Sequence, residues 1–170
     1  EDVKNLINGT PIKRDLLIEY LHLIQDKYRC IKKSHLAALS DIMKIPFAEA
    51  FEVASFYAHF DVLDDNDPTP PEITIRMCDS LTCELKGSDS LLKDLQKKYH
   101  NSDKVRVLRA PCMGLCDVAP ACEVGHNHIK NCSMETIENA IKKKDTHPQI
   151  IDGISLDKYM KNGGYQILKK

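Results

Sequence analysis

Seven cysteines in 170 residues are the densest source of chemistry in the sequence, and four of them fall into two pairs. Cys78 is followed by four residues and then Cys83; Cys112 is followed by three and then Cys116. A thiolate is both a nucleophile and a soft metal ligand, so paired cysteines admit several chemistries. Structural zinc takes four thiolates, but its pairs are usually separated by about two residues in each knuckle. A dithiol oxidoreductase needs a C-x-x-C pair after a strand, and the sequence contains none. Disulfides need an oxidising compartment, whereas the cysteine count is odd and no secretory signal is present. Iron–sulfur clusters take all-cysteine ligation from loops that wrap an inorganic core, and spacings of four and three suit such loops. Spacing alone leaves cluster, zinc and thiol chemistry open.

The surroundings of the pairs bear on the same question. A core ligated by four thiolates is anionic and calls for backbone amides aimed at its sulfurs. Gly114 and Gly87 are positions where the main chain can approach without an intervening side chain, and Pro111 and Pro120 stiffen the second loop. Arg76, Lys86 and Arg109 flank the loops and read as solvated charges. Cys30 and Cys132 read as buried thiols acting as small hydrophobes. His126 and His128 share a strand face but have no carboxylate at suitable spacing, so they read as turn or surface residues. Asp64–Asp67 lacks the glycine and distal glutamate of a calcium loop and reads as solvated linker.

Two strands must present the cysteine loops. Glu72–Met77 alternates β-branched and charged residues as a half-buried strand does, and Lys104–Ala110 repeats the pattern. If the two are sheet neighbours, the loops after them open at one sheet end and four thiols can converge. Between them Ser88–Tyr99 carries Leu91, Leu92, Leu95 and Tyr99 at helical spacing. Ala121–Gly125 and Asn127–Asn131 form a candidate hairpin joined at Gly125–His126. Ser133 then caps a helix with Ile137, Ala140 and Ile141 inward.

Residues 1–60 read as a helical domain. Leu17, Tyr20, Leu21, Ile24 and Tyr28 make one apolar stripe. Ser34 is an expected N-cap for a second helix, with Leu36, Leu39 and Ile42–Met43 inward. Pro46 suits the first turn of a third, which puts Phe47, Phe51, Ala54 and Ala58 on one face. Residues 61–71 (DVLDDNDPTPP) read as a linker, because three prolines cannot continue a helix. Residues 72–145 then form an α/β (α+β) domain with a small mixed sheet flanked by helices, and 146–170 are a tail. There Ser155 can cap a short helix through Met160, ending at Asn162-Gly163-Gly164.

Composition narrows the function classes. Lys and Arg number 24 against 25 Asp and Glu, so the basic excess of a nucleic-acid binder is missing. No apolar run approaches the roughly 18 residues of a membrane span, so direct membrane insertion is not expected. No Ser/His/Asp constellation, phosphate-cradling loop or dinucleotide fingerprint occurs, so the chain is not expected to bind NAD(H) or flavin itself.

The segment Ala110-Pro-Cys-Met-Gly-Leu-Cys-Asp-Val-Ala-Pro120, preceded by Cys78-x4-Cys83, resembles the thioredoxin-like [2Fe–2S] subunit of respiratory NADH:quinone oxidoreductase. The same module occurs in NAD-linked formate dehydrogenases and NAD-reducing hydrogenases. The stretch Phe51–Phe60 (FEVASFYAHF) is similar to the family's helix ending in Phe-Tyr, and the resemblance runs from about Leu16 to Ile141. Cys122 departs from the pattern, which generally has an apolar residue there. It reads as a small strand residue pointing into the core.

The resemblance implies a thioredoxin-like fold behind the helical domain and a [2Fe–2S] cluster on Cys78, Cys83, Cys112 and Cys116. It also implies a partner subunit or domain carrying FMN and NAD(H), with which the cluster exchanges single electrons. The place implied is cytoplasmic, or the matrix side of a mitochondrion, peripheral to the inner membrane through the complex. Competing readings are a free-standing ferredoxin or redox sensor and a zinc interaction module held by the four cysteines. The sequence opens on Glu1 rather than methionine. The Tyr159…Gly163-Gly164-Tyr165 pattern resembles the start of the flavin-bearing partner, so a fusion continuing into that domain is expected. The alternative is an ordinary terminal helix folding back on the sheet.

Overall fold

A computed structural model describes residues 2–149 and 153–168. The first third is helical because its apolar residues recur every three or four positions. Helix α1 (Asp2–Leu6) precedes a single 3-10 turn and α2 (Leu17–Tyr28), whose Leu17, Tyr20, Leu21 and Ile24 are buried. Strand β1 (Ile31–Lys32) leads into α3 (Lys33–Met43), then α4 (Phe47–Phe56). Together they enclose a core that includes Tyr20, Ile24, Leu36, Leu39, Ala50 and Phe60. Each fully buried Leu or Ile contributes about 2 kcal/mol by leaving water, so no one of these short helices stands without the others.

Three sequence expectations change here. Ser34 lies inside α3 rather than capping it. The free amides of that end are met by the Asp65 carboxylate, which accepts from Ser34 N at 3.1 Å, and by His35 Nδ1, which accepts from Lys32 N at 3.2 Å. On α4 the buried residues are Ala50 and Ala54, while Phe47 and Ala58 are exposed. Alanines let α4 lie close on α3, and Phe47 instead stacks on Phe51 at 6.0 Å. The proline-rich segment after Phe60 is pinned: β2 (Val62–Leu63) pairs in parallel with β1, and Lys32 Nζ donates to the carbonyls of Asp64 and Asp67.

The second half is built on a four-stranded mixed sheet of order β4-β3-β5-β6. Strand β3 (Ile73–Cys78) runs parallel to β4 (Val105–Ala110), with α5 (Leu81–Leu85) and α6 (Ser88–Tyr99) in the crossover between them. Hairpin strands β5 (Cys122–Val124) and β6 (Asn127–Ile129) add antiparallel to the other edge of β3, turning at Gly125 in left-handed backbone. Helix α7 (Met134–Lys143) starts at Ser133, whose Oγ accepts from Thr136 N. Its Ile137 and Ala140 join Ile75, Met77, Leu92, Leu95 and Val124 in a second core. This is the expected α/β (α+β) class, a small mixed sheet flanked by helices.

Alternation in the sequence predicts a half-buried β3, yet Thr74 through Cys78 are all buried. It is a central strand with α6 and α7 on one face and the helical cluster on the other. Arg76 is therefore not a solvated charge: it pairs with Glu123 at 3.3 Å and donates to the His59 carbonyl at 3.0 Å. Beyond the sheet, α8 (Leu156–Lys161) is capped by Ser155 and buries none of its own residues. Gly163 is left-handed, and Gly164 N donates to Tyr159 O at 2.8 Å, closing the helix end as expected. Glu1 and the ends of the tail reading, residues 150–152 and 169–170, lie outside the described residues.

Candidate functional site

The parallel pairing of β3 with β4 sets Cys78 beside Ala110, so the chain leaves both strands at one sheet end. Asp79 N donates to Ala110 O at 3.0 Å and Cys78 N to Ala121 O at 3.2 Å, fixing the two exits against each other. From the first exit, α5 places Cys83 back over Cys78. Helix α5 carries no periodic signal in its residues, since five are too few to show one. From the second exit Cys112 and Cys116 bracket a turn around Gly114. That loop is held to the entrance of α7 by Asn131 N donating to Val118 O and Cys132 N to Pro120 O, at 2.8 and 2.7 Å.

Both cysteine pairs lie at this sheet end. Cys78 and Cys83 are buried in a small apolar cluster with Ala121, against which Met113, Leu115 and Ala119 of the second loop pack. Cys112 and Cys116 are exposed, with their sulfurs 3.9 Å apart. The Gly114 amide points at Cys112 Sγ from 3.4 Å. That amide, the Ser80 hydroxyl and the neighbouring Cys116 thiol lower the Cys112 pKa, so this sulfur is predisposed to the thiolate form. Burial pushes the Cys83 thiol up, partly offset by the backbone at Ala121. Gly114 has φ +75°, and nothing lies within 4 Å of a Cβ built on it. The glycine is required by backbone conformation rather than by crowding.

The other candidates separate from this site. Gly87 is the left-handed residue before α6. Arg109 pairs with Asp89 at 2.8 Å. Cys30, Cys122 and Cys132 are buried, as expected of small hydrophobes. Cys122 and Cys132 touch, and that contact together with burial pushes the Cys122 thiol up. His126 and His128 do not share a face: His128 sits on β6 and His126 in the turn. There His126 Nε2 meets the Asp26 carboxylate at 3.2 Å, the carboxylate partner that local spacing did not reveal. His59 lies beside them, and burial, with Arg76 nearby, lowers its pKa to about 4.

A two-layer βαβ-plus-hairpin domain with two cysteine pairs at the carboxyl end of its parallel strands defines a class. Residues 3–145 match the thioredoxin-like [2Fe-2S] ferredoxin family, and the chain belongs to it. Among curated proteins it is similar to an NADH-quinone oxidoreductase subunit of Aquifex aeolicus (strain VF5). The two are 30% identical over 131 residues, covering 73% of this chain and 79% of the relative. The corresponding protein of Buchnera aphidicola subsp. Baizongia pistaciae (strain Bp) is 26% identical over 137 residues, 76% and 77% of the two chains. Among solved structures, a chain of NAD+-reducing [NiFe]-hydrogenase in the air-oxidized state superposes with a TM-score of 0.60 at 23% identity. That match covers 76% of this chain and 23% of the hydrogenase chain, and it speaks to fold alone.

Proposed function

We propose that Cys78, Cys83, Cys112 and Cys116 hold one [2Fe–2S] cluster and that the chain is an electron-transfer component of an NAD(H)-dependent oxidoreductase. The observation that carries this reading is the convergence of both cysteine pairs at the shared end of β3 and β4, in a chain of a [2Fe–2S] family. A tetrahedral metal with thiolate bonds of about 2.3 Å holds its sulfurs about 3.8 Å apart. Cys112 and Cys116, at 3.9 Å, suit two ligands of one metal. Cys78 and Cys83, the other pair, lie together in the apolar cluster at the same sheet end, which supports a second pair of ligands.

When bound, the cluster supplies one-electron chemistry. The chain's own residues tune and present it. The Gly114 amide stabilises negative charge on Cys112, and the apolar packing of Ala119, Ala121, Met113 and Leu115 limits water at the buried pair. Such hydrogen bonding and burial set a cluster's potential. Leu81 and Leu85 flank Cys83 on α5 with 71% and 78% exposure, an apolar rim suited to a docked partner. The partner in this reading is the FMN- and NAD(H)-bearing subunit or domain of the same enzyme, with which single electrons are exchanged. No helix among the described residues is long and apolar enough to cross a membrane, so membrane attachment in this reading runs through the complex.

Anaerobically purified chain tests the cluster: paired iron and acid-labile sulfide, with an electron-spin signal appearing on reduction, is expected. Zinc without labile sulfide would overturn it. Purifying the natural complex tests the partner, since a flavoprotein must come with the chain.

A further inference from the structure

We propose that Asp26, His59 and His126 form a second metal site, for a zinc-class divalent transition metal, that ties the N-terminal helices to the sheet. One ligand atom from each lies within 4.8 Å of the other two. His126 Nε2 and Asp26 Oδ1 are 3.2 Å apart. Two ligands held at about 2.0–2.2 Å on a tetrahedral metal sit about 3.3 Å from each other, so this pair is spaced for a shared ion. The third residue supplies an independent observation. His59 Nε2 is buried and has no hydrogen-bond partner. A buried polar nitrogen without a partner forfeits its hydration, and a metal bond would restore what is lost.

The three residues come from separate elements. Asp26 is on α2, His59 follows α4, and His126 is at the turn of the β5–β6 hairpin. His22 and His147 extend the row, with ring centroids 5.0 Å from His59 and 5.7 Å from His126 respectively. Two imidazoles and a carboxylate are a zinc-type donor set, whereas calcium and magnesium require mostly oxygen. The local charge agrees with that choice. Arg29 and Arg76 line the same cavity of about 950 Å³, so an ion here is held by directed imidazole and carboxylate bonds rather than by surplus negative charge. Arg76 is already paired with Glu123. His126 lines this cavity and its side chain is 38% exposed, which leaves an ion an entry path.

The site is remote from the cysteine pairs. Gly125 N donates to Thr74 O, and Thr74 lies four residues before Cys78 on β3, roughly 13 Å along the strand. Metal here would join α2 and the segment after α4 to the hairpin, acting as a staple rather than as a redox centre.

The test uses the full chain in its iron-loaded form, dialysed against a buffer of micromolar free zinc, with zinc and iron counted by mass spectrometry. One zinc per chain is expected beyond the iron. His126→Ala and Asp26→Asn should each lower zinc affinity at least about tenfold with iron content unchanged, and His128→Ala should behave as wild type. Zinc should also raise the melting temperature of wild type and not of His126→Ala. Absence of bound zinc in wild type, or equal zinc in His126→Ala, would overturn the site and leave a simple His126–Asp26 ion pair. If the cysteines hold zinc rather than iron, the same comparison on thiol-alkylated chain isolates this site from theirs.

Discussion

Asp61 and Arg106 meet side by side, with Arg106 Nη1 donating to Asp61 Oδ1 at 2.9 Å and Nη2 to Oδ2. Arg106 Nε also donates to Thr74 Oγ1 at 2.7 Å. Asp61 in turn exchanges hydrogen bonds with Gln25, giving its amide to Oε1 at 3.0 Å and accepting from Nε2 at 3.1 Å, while its carbonyl accepts from Ile31 N. One aspartate thus binds α2, β1 and β4 together.

Removing Arg106 leaves a mostly buried carboxylate short of donors, and neutralising Asp61 leaves a mostly buried guanidinium without its counter-charge. Arg106→Met or Asp61→Asn should each lower the unfolding free energy by about 2 kcal/mol, measured by urea denaturation. The exposed Lys33–Asp64 pair makes the control, since Lys33→Met should leave the urea midpoint nearly unchanged. Equal effects at the two sites would mean that Asp61 has no special place in joining the two cores.

The entrance of α3 predicts a pH dependence. His35 Nδ1 must keep its lone pair to accept from Lys32 N, and burial lowers the His35 pKa below the ordinary imidazole value. Asp65 and Asp2 oppose that shift and Lys32 adds to it. The unfolded chain then binds the proton more readily than the folded one. The contribution of His35 to stability is accordingly complete above the ordinary imidazole pKa and is lost as pH falls below it toward the folded value. Melting temperature against pH should show this acid-side loss in wild type, and His35→Asn should reduce it, leaving the part that belongs to His59, whose pKa burial lowers to about 4. An unchanged slope in the variant would assign the proton uptake elsewhere.

What can be read from the residues alone is local, and what stays hidden is long-range. Ser133 with Thr136 fixes the start of α7 within one turn, and Gly125 fixes the hairpin, so both are legible from neighbours in the chain. The convergence of the cysteine pairs follows from two alternating strands feeding two loops. By contrast, the buried state of Arg76 depends on Glu123 and on the His59 carbonyl, far away in sequence. The His126–Asp26 contact spans a hundred positions and two cores. The inward face of α4 misleads because Phe47 and Phe51 outweigh Ala50 in any hydrophobic pattern, while close helix packing selects the alanine. Helix α5 leaves no trace because a single turn has no period.

The rim of α5 predicts a docking effect separable from cluster binding. Leu81→Glu with Leu85→Glu places charge on residues that touch little of the chain itself, so folding and iron content should be unchanged. Association with the proposed flavin-bearing partner should weaken at least about tenfold if the rim is buried in the complex. Co-purification from the natural complex, scored by flavin per iron, checks this. Full retention of the flavoprotein would move the docking surface away from α5.

The last prediction concerns the thiols one by one. Cys78→Ser, Cys83→Ser, Cys112→Ser and Cys116→Ser should each bleach the visible spectrum or make it fade quickly in air, because each removes one of the four proposed soft ligands. The outer pair should be the more forgiving in folding terms. Cys112 and Cys116 are exposed, so serine there costs little packing, whereas Cys78 and Cys83 sit in an apolar cluster where an unpaired hydroxyl is destabilising. Cys30→Ser, Cys122→Ser and Cys132→Ser should leave the spectrum intact while lowering the melting temperature, since all three are buried. Gly114→Ala tests the amide directly: its φ of +75° strains any side chain, and displacement of the amide from Cys112 Sγ should lower the potential of a bound cluster. The informative outcome is Cys122. It lies six residues past Cys116 and directly follows Ala121, which packs with Cys78 and Cys83. A Cys122→Ser chain that loses its colour, beside a Cys116→Ser chain that keeps it, would transfer the fourth ligand from Cys116 to Cys122.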